Sequence, residues 1–516
     1  MKRARKHPAG KFLSAGTALT VIIATGAFAA VAFAGTAARD DLSAEDASRV
    51  AAVTAPATDF SVPEPFERMT AGAATSLADV NRDAFSHFAP NLGFEGERDF
   101  KLGNGLFKKL WVSSPSSTKA SDGLGPLYNA RSCQRCHRKD GRGHPPEGPD
   151  DTATSMFLRL SVPPRTDAER KALAEKTMLH IPEPTYGGQL QDFAIQGLKA
   201  EGRMAINYED VPVTLGDGTV VTLRKPSYSV THLGYGDMAP DVMLSPRVAP
   251  QMIGLGLIEE IHPDDILRRA DPEDANGDGI SGKPSMVRDG KTGELVLGLY
   301  GWKASTATVR AQSASAFAGD IGISTPDAMT PYGDCTAKQT ECLARANGVQ
   351  PHLGDSEAPD PVLDLVVFYS KNLAVPARRD VNDAQVLRGK QLFYETGCVT
   401  CHTPKFVTRR DAEQPEHRFQ LIWPYSDFLL HDMGEGLGDG RPVGDADGNE
   451  WRTAPLWGIG LTETVNGHTY FLHDGRARNL LEAVLWHGGE AQAARDKVAA
   501  MPKEDRDALI RFLESL

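Results

Sequence analysis

The chain has 516 residues, too many for one compact core, so two domains with elaborations are expected. Charged and apolar residues are interspersed without low-complexity tracts, and 50 glycines and 34 prolines announce many loops and irregular connections. A formal net charge of −12 speaks against nucleic acid, whose phosphates require a basic face.

In chain order, Lys2, Arg3, Arg5, Lys6 and Lys11 precede an uncharged run from Phe12 to Ala34. The run ends in Ala32-Phe33-Ala34, the small-x-small pattern of a cleavable secretory leader. An uncleaved anchor is the competing reading, since the run is just long enough to span a bilayer, but its many Ala, Gly and Thr residues make a weak membrane helix. Cleavage after residue 34 predicts a periplasmic protein with no stable membrane insertion. Loss of the leader cations makes the remaining surface more acidic, which suits a basic soluble electron-transfer partner such as a cytochrome or a cupredoxin.

The next feature, Ala130 to His144, reads ARSCQRCHRKDGRGH, with Cys133 and Cys136 three apart and His137 following. Cys398, Val399, Thr400, Cys401 and His402 repeat the pattern far downstream. A redox dithiol has no use for the histidine, and zinc held by four Cys would need both pairs in one site although each pair carries its own His. Covalent haem uses every residue, because each thiol adds to a vinyl group and the adjacent imidazole stands beneath the iron. The motifs therefore predict two covalently bound c-type haems, one on Cys133 and Cys136 with His137 proximal, the other on Cys398 and Cys401 with His402 proximal.

Between the motifs, Val211 to Leu223 reads as strands around the turn Gly216-Asp217-Gly218. In DANGDGISG, Asp274, Asn276 and Asp278 alternate before a glycine as in calcium loops, yet Ser285 stands where a full loop has its Glu. A partial calcium site and an Asx-rich turn both remain open. Cys335 and Cys342, in GDCTAKQTEC, are expected to close a short-loop disulfide in an oxidising compartment, with two buried thiols as the alternative.

Val362, Leu365, Val366 and Tyr369 share one face of a helix expected over Pro361 to Asn372, and VPARR at 375–379 follows as a module boundary. DAQVLRGKQLFYET, Asp383 to Thr396, has helical spacing and is stopped by Gly397; Pro502 opens a last helix bearing Leu509, Phe512, Leu513 and Leu516. The expected fold is mainly α, with two cytochrome c-like haem domains at 85–374 and 375–516. The first carries a long loop-rich insertion containing some β-structure, and residues 1–34 and 35–84 form a signal peptide and an N-terminal extension.

NARSCQRCHRKDGRG, SPRVAPQMIGLGLIEEI, DANGDGISG, LAVPARR, LLHDMGEGL, EWRTAPLWGIG and YFLHDGRARNLLEAVLWHGGEA together resemble the dihaem oxidoreductase family. That family, sometimes labelled thiol oxidoreductases, is related to bacterial dihaem cytochrome c peroxidases and MauG-type enzymes, and the resemblance runs from Phe85 to Leu516. It implies an exported peroxidase-like oxidoreductase, with electrons entering at the C-terminal haem and peroxide or another substrate met at the N-terminal haem. A pure electron-transfer cytochrome and a metal-reducing accessory of iron uptake are the competing expectations.

The resemblance also assigns residues. His473 opens the last stretch and His487 stands fourteen residues on, where the peroxidases carry Met and MauG-type enzymes Tyr. A His there implies two imidazoles on one iron, a closed low-spin site of lowered potential. Met433 competes for that position, and a surface histidine beside Trp486 is the plainer reading of His487. His473 is expected to hydrogen-bond near the haem, with Asp474 and Arg476 ordering its turn or holding a propionate. For the first haem no distal ligand stands out: His144 is too near His137, while His180, His232 and His262 remain. An open position there would leave Gln251, Glu259 and Glu260 as acid-base candidates, the glutamates being equally readable as helix-end charges. Trp111, Trp302 and Trp457 are candidates for the space between haems. Related enzymes bind calcium near their haems, which adds calcium to the expected cofactors.

Overall fold

The computed structural model describes residues 39–148, 151 and 155–516. The leader reading for residues 1–34 lies outside them. Two helix pairs, each beside one of the Cys-x-x-Cys-His motifs, organise the rest. Phe94–Lys108 packs on Asp360–Lys371, and Ala384–Glu395 packs on Lys503–Ser515.

In both pairs a glycine makes the contact. A Cβ on Gly103 would lie 2.1 Å from the Leu365 carbonyl oxygen, and one on Gly389 would lie 2.0 Å from that of Ala508, so neither backbone could approach with a larger residue. An aromatic residue then reaches from each first helix to its motif. Phe107 sits 5.1 Å from Tyr369 and 6.2 Å from the His137 ring; Phe393 sits 5.2 Å from Phe512 and 6.2 Å from the His402 ring. Asp383 starts the second pair, its carboxylate accepting the N–H groups of Gln385 and Val386 as an N-cap. The helices expected from the spacing of apolar residues at 361–372, 383–396 and after Pro502 are present within a residue or two.

The fold is nevertheless not mainly α. Among the described residues helix takes 31% and strand 18%, and the strands form eight two-stranded sheets. Four of these sheets pair strands of two or three residues at most two residues deep, and two of them join segments far apart in the chain, Thr75–Ser76 with Val375–Pro376 and Leu127–Tyr128 with Phe193–Ala194. Two residues carry no alternation for a sequence to display. The longest sheet is the antiparallel hairpin Arg203–Thr214 with Val220–Thr231, which extends well beyond the expected 211–223 while keeping the turn at Gly216 to Gly218. Its inner residues Leu215 and Leu223 pack with Leu437, Phe471, Leu485 and Trp486, so the insertion covers the helix Leu480–Leu485 that precedes His487.

The described residues hold together as one compact unit. Its largest apolar cluster mixes both halves of the chain, joining Phe100, Leu257 and Tyr369 to Phe406, Phe428 and Trp457. A second cluster of Val386, Phe393, Trp423, Phe512 and Leu513 belongs to the C-terminal half alone. The segment before residue 85 is part of this packing: Glu67 pairs with Arg378 and with buried Lys390, and the Trp457 indole N–H donates to Thr70 Oγ1 at 3.0 Å. Cys335 and Cys342 are disulfide-bonded, with Cα atoms 6.4 Å apart. No helix among the described residues is long and apolar enough to cross a membrane.

Candidate functional site

The two motifs are built alike. Cys133–Cys136 forms a single helical turn, and Cys398–Thr400 a 3-10 turn that begins after Gly397 at φ +96, a left-handed conformation open to glycine at little cost. None of the four motif cysteines is joined in a disulfide. The His137 Nδ1 lies 2.8 Å from the Pro250 carbonyl oxygen, and the His402 Nδ1 lies 2.8 Å from that of Tyr425. A carbonyl can only accept, so each Nδ1 carries the ring proton and each Nε2 keeps its lone pair. Burial holds both imidazoles neutral, pulling them down to about 4. Burial acts on the thiols in the opposite sense. Cys133 is pushed up to about 12, with Asp320 adding to the effect, and Cys398 and Cys401 are raised as well. Thiols held protonated are poor redox nucleophiles, so dithiol exchange is not what this environment favours.

Both motifs open onto one largely apolar cavity of about 920 Å³, lined by all four cysteines and by His137 and His402. It is large, and its donor set of two neutral imidazoles and four thiols fits haem. His487 also lines it, at the end of the helix Leu480–Leu485, with Nδ1 donating to the Ala483 carbonyl at 2.7 Å and Nε2 thereby left as an acceptor. Met433 and His473 line it too. The His473 ring is stacked on Trp451 at 3.7 Å and meets Trp302 edge-on at 6.5 Å, and its buried Nε2 has no hydrogen-bond partner. Burial draws that imidazole down to about 3. Asp474 next to it accepts from Tyr228 Oη at 2.8 Å and from Arg476 Nε at 2.8 Å, so this pair orders the turn.

The remaining sequence candidates divide. Gln251 lines the cavity, its side-chain amide donating to the Trp457 carbonyl at 3.3 Å. Glu259 and Glu260 do not line it. Glu259 accepts from the Val309 N–H at 2.6 Å and from Lys371 Nζ at 2.8 Å, and Glu260 stands 3.9 Å from the same ammonium, so they act as helix-end and ion-pair groups. Of the loose histidines only His180 reaches the cavity; His144 lies against His468, His232 is exposed, and His262 caps the helix Pro263–Leu267. Trp302 and Trp457 line the cavity and Trp111 does not. Asp278 touches it as well, but the Asp274, Asn276 and Asp278 side chains accept backbone N–H bonds from Gly279, Asp278 and Ile280, the pattern of Asx turns.

Several lining residues escaped the sequence reading. Trp451 and Arg247 lie in two of the stretches that carry the family resemblance, so those stretches held the signal. Arg159, Arg441 and Lys303 stand alone among ordinary residues, and nothing local marks an arginine that turns inward.

The family described as "Di-haem oxidoreductase, putative peroxidase" matches residues 67–516. No curated protein matches the chain. Among solved structures, hydrazine synthase of Kuenenia stuttgartiensis, pressurised with xenon, is similar at 13% identity over 69% of this chain and 90% of that one. Its TM-score of 0.26 is too low to bear on fold or function.

Proposed function

The chain belongs to the di-haem oxidoreductase family, and from that premise we propose that it is an exported dihaem c-type cytochrome with peroxidase-like activity. Cys133, Cys136 and His137 would hold one haem, Cys398, Cys401 and His402 the other, and His487 would close the second site. Such a group supplies one-electron chemistry at its iron and, where a coordination position is open, a place for peroxide. The observation that carries this reading is the pair of motifs lining one cavity with their imidazoles tied in the same way, Nδ1 to a backbone carbonyl at 2.8 Å.

The chain's own residues have definite parts in this reading. Pro250 and Tyr425 fix ring orientation and tautomer through their carbonyls. Gln251 brings an amide into the cavity on the Pro250 side, where it would orient peroxide. Electrons would come from a soluble cytochrome or cupredoxin to the Cys398–His402 end and be used at the Cys133–His137 end. The stacked Trp451 and His473, with Trp302 edge-on, would keep water out of the space they fill. Export rests on the Phe12–Ala34 leader and agrees with the Cys335–Cys342 pair, which an oxidising compartment keeps closed. Calcium at Asp274, Asn276 and Asp278 rests on sequence alternation alone, and titration with Ca²⁺ after chelation tests it.

His180 favours a second reading. It is a neutral imidazole in the cavity, drawn down to about 3 by burial, and as a second ligand it would close the first site and make the protein an electron carrier. One spectrum separates the two. A high-spin ferric signal beside a low-spin one, with peroxide consumed by the reduced protein and lost in His137→Ala, is the expected result. Two low-spin signals with no peroxide consumption would transfer the case to the carrier, and a mass equal to the bare polypeptide would end both.

A further inference from the structure

One wall of the cavity gathers three buried cations, Arg247, Lys303 and Arg441, and the half-buried Arg159, with too little anion to match. Arg159, Arg247, Lys303 and Arg441 all line it. Asp439 is the carboxylate among them. It takes Lys303 Nζ at 2.9 Å and Arg247 Nη2 at 3.2 Å, both buried with it. Arg441 is 2% exposed, gives one long bond of 3.3 Å to the Leu160 carbonyl, and leaves its buried Nε without a partner. Among the described residues the Arg159 guanidinium makes no hydrogen bond and rests 5.0 Å over the Phe157 ring. Asp320, which also lines the cavity, and Asp334 feel its charge without bonding to it: Asp320 Oδ1 accepts from Gln189 Nε2, and Asp334 Oδ2 accepts from the N–H groups of Gly188 and Gln189.

Desolvation pulls Arg441 down to about 9, Arg247 to about 10 and Lys303 to about 8, which marks a wall that is under-neutralised even with Asp439 in place. Buried cations are tolerated when an anion answers them, and the planar guanidinium matches a carboxylate with two donors. We infer that Arg159, Arg247 and Arg441 form a carboxylate-binding wall of this cavity, with Lys303, whose ammonium is spent on Asp439 and the Arg441 and Asp447 carbonyls, supporting it by charge. Haem propionates and a small organic acid share the chemistry it would recognise. The inference rests on the haem reading above.

The test uses the haem-loaded protein, with haem content measured first by the alkaline pyridine spectrum. Arg441→Gln and Arg159→Gln are expected to shift the propionate bending band in the resonance Raman spectrum, with Arg441→Lys intermediate because it keeps the charge and loses the paired donors. If the glutamine variants fail to accumulate, Arg441→Lys and Arg159→Lys give the same readout at smaller size. An unmoved band, together with a saturable change in haem absorption on adding succinate that weakens at least tenfold in the variants, assigns the wall to a free acid instead. Two haems present with the band unmoved and no response to succinate would overturn the wall alone. Absence of haem from the unaltered protein would overturn the reading beneath it.

Discussion

His431 stands between two carboxylates, its Nε2 2.8 Å from Asp427 and its Nδ1 2.6 Å from Glu490, all three side chains buried. Although burial opposes it, the Asp427 charge and the bonds to both carboxylates hold this imidazole well above 6.5, while Glu490 is held below 4.5 despite its own burial. The histidine's raised value means its stabilisation is complete below about pH 6.5 and is lost as pH rises through the folded value. The glutamate's depressed value means its contribution is present above about pH 4.5 and is lost on further acidification. His431→Gln is therefore expected to cost about 3–5 kcal/mol near pH 6, as for a buried pair stripped of one partner, and less above pH 8. Denaturant unfolding at the two pH values measures this, and an equal cost at both would show that no charge is involved. His487→Met tests the second proposed ligand. A thioether in place of imidazole should raise the potential of one haem by more than ~59 mV, a tenfold shift in a one-electron equilibrium, in a redox titration. At this scale the sequence showed the residues whose chemistry lies in their spacing, such as Cys398, Cys401 and His402. It was silent on Arg159 and Arg441, whose meaning lies in what surrounds them.

The two helix pairs carry the motifs as matched cradles. In each, a glycine lets one helix lie against a carbonyl of the other, and an aromatic side chain reaches on to within 6.2 Å of the motif histidine. Gly103→Ala and Gly389→Ala should each push a pair apart and cost roughly 1–3 kcal/mol, the usual penalty of overpacking. Thermal unfolding gives the cost. Because each glycine serves one motif, mass spectrometry should show haem lost preferentially from the motif beside the altered pair, and equal loss from both would refute their independence. The helices could be read from apolar spacing because periodicity of 3.6 repeats over three turns. The glycine contacts could not, since a glycine inside a helix looks the same whether it meets water or a carbonyl. The short strands had no period to show, which is how a fold with 18% strand read as mainly α.

At the scale of the whole molecule the acidic surface bears on partner choice. With a net charge of −12 on the full chain, more negative once the leader cations are lost, reduction by a basic cytochrome should slow by on the order of tenfold from low to physiological ionic strength, as screening shortens the reach of opposite charges. Stopped-flow mixing at several salt concentrations measures it, and a rate indifferent to salt would remove charge from the encounter. The Cys-x-x-Cys-His pairs, the acidic balance and the apolar faces of the long helices were settled by sequence, because local spacing and overall composition exist before the chain folds. That both motifs share one cavity, that the hairpin Arg203–Thr231 covers the helix before His487, and that isolated cations line a single wall was decided by tertiary structure alone. Burial and long-range contact arise between segments hundreds of residues apart, and no local pattern records them.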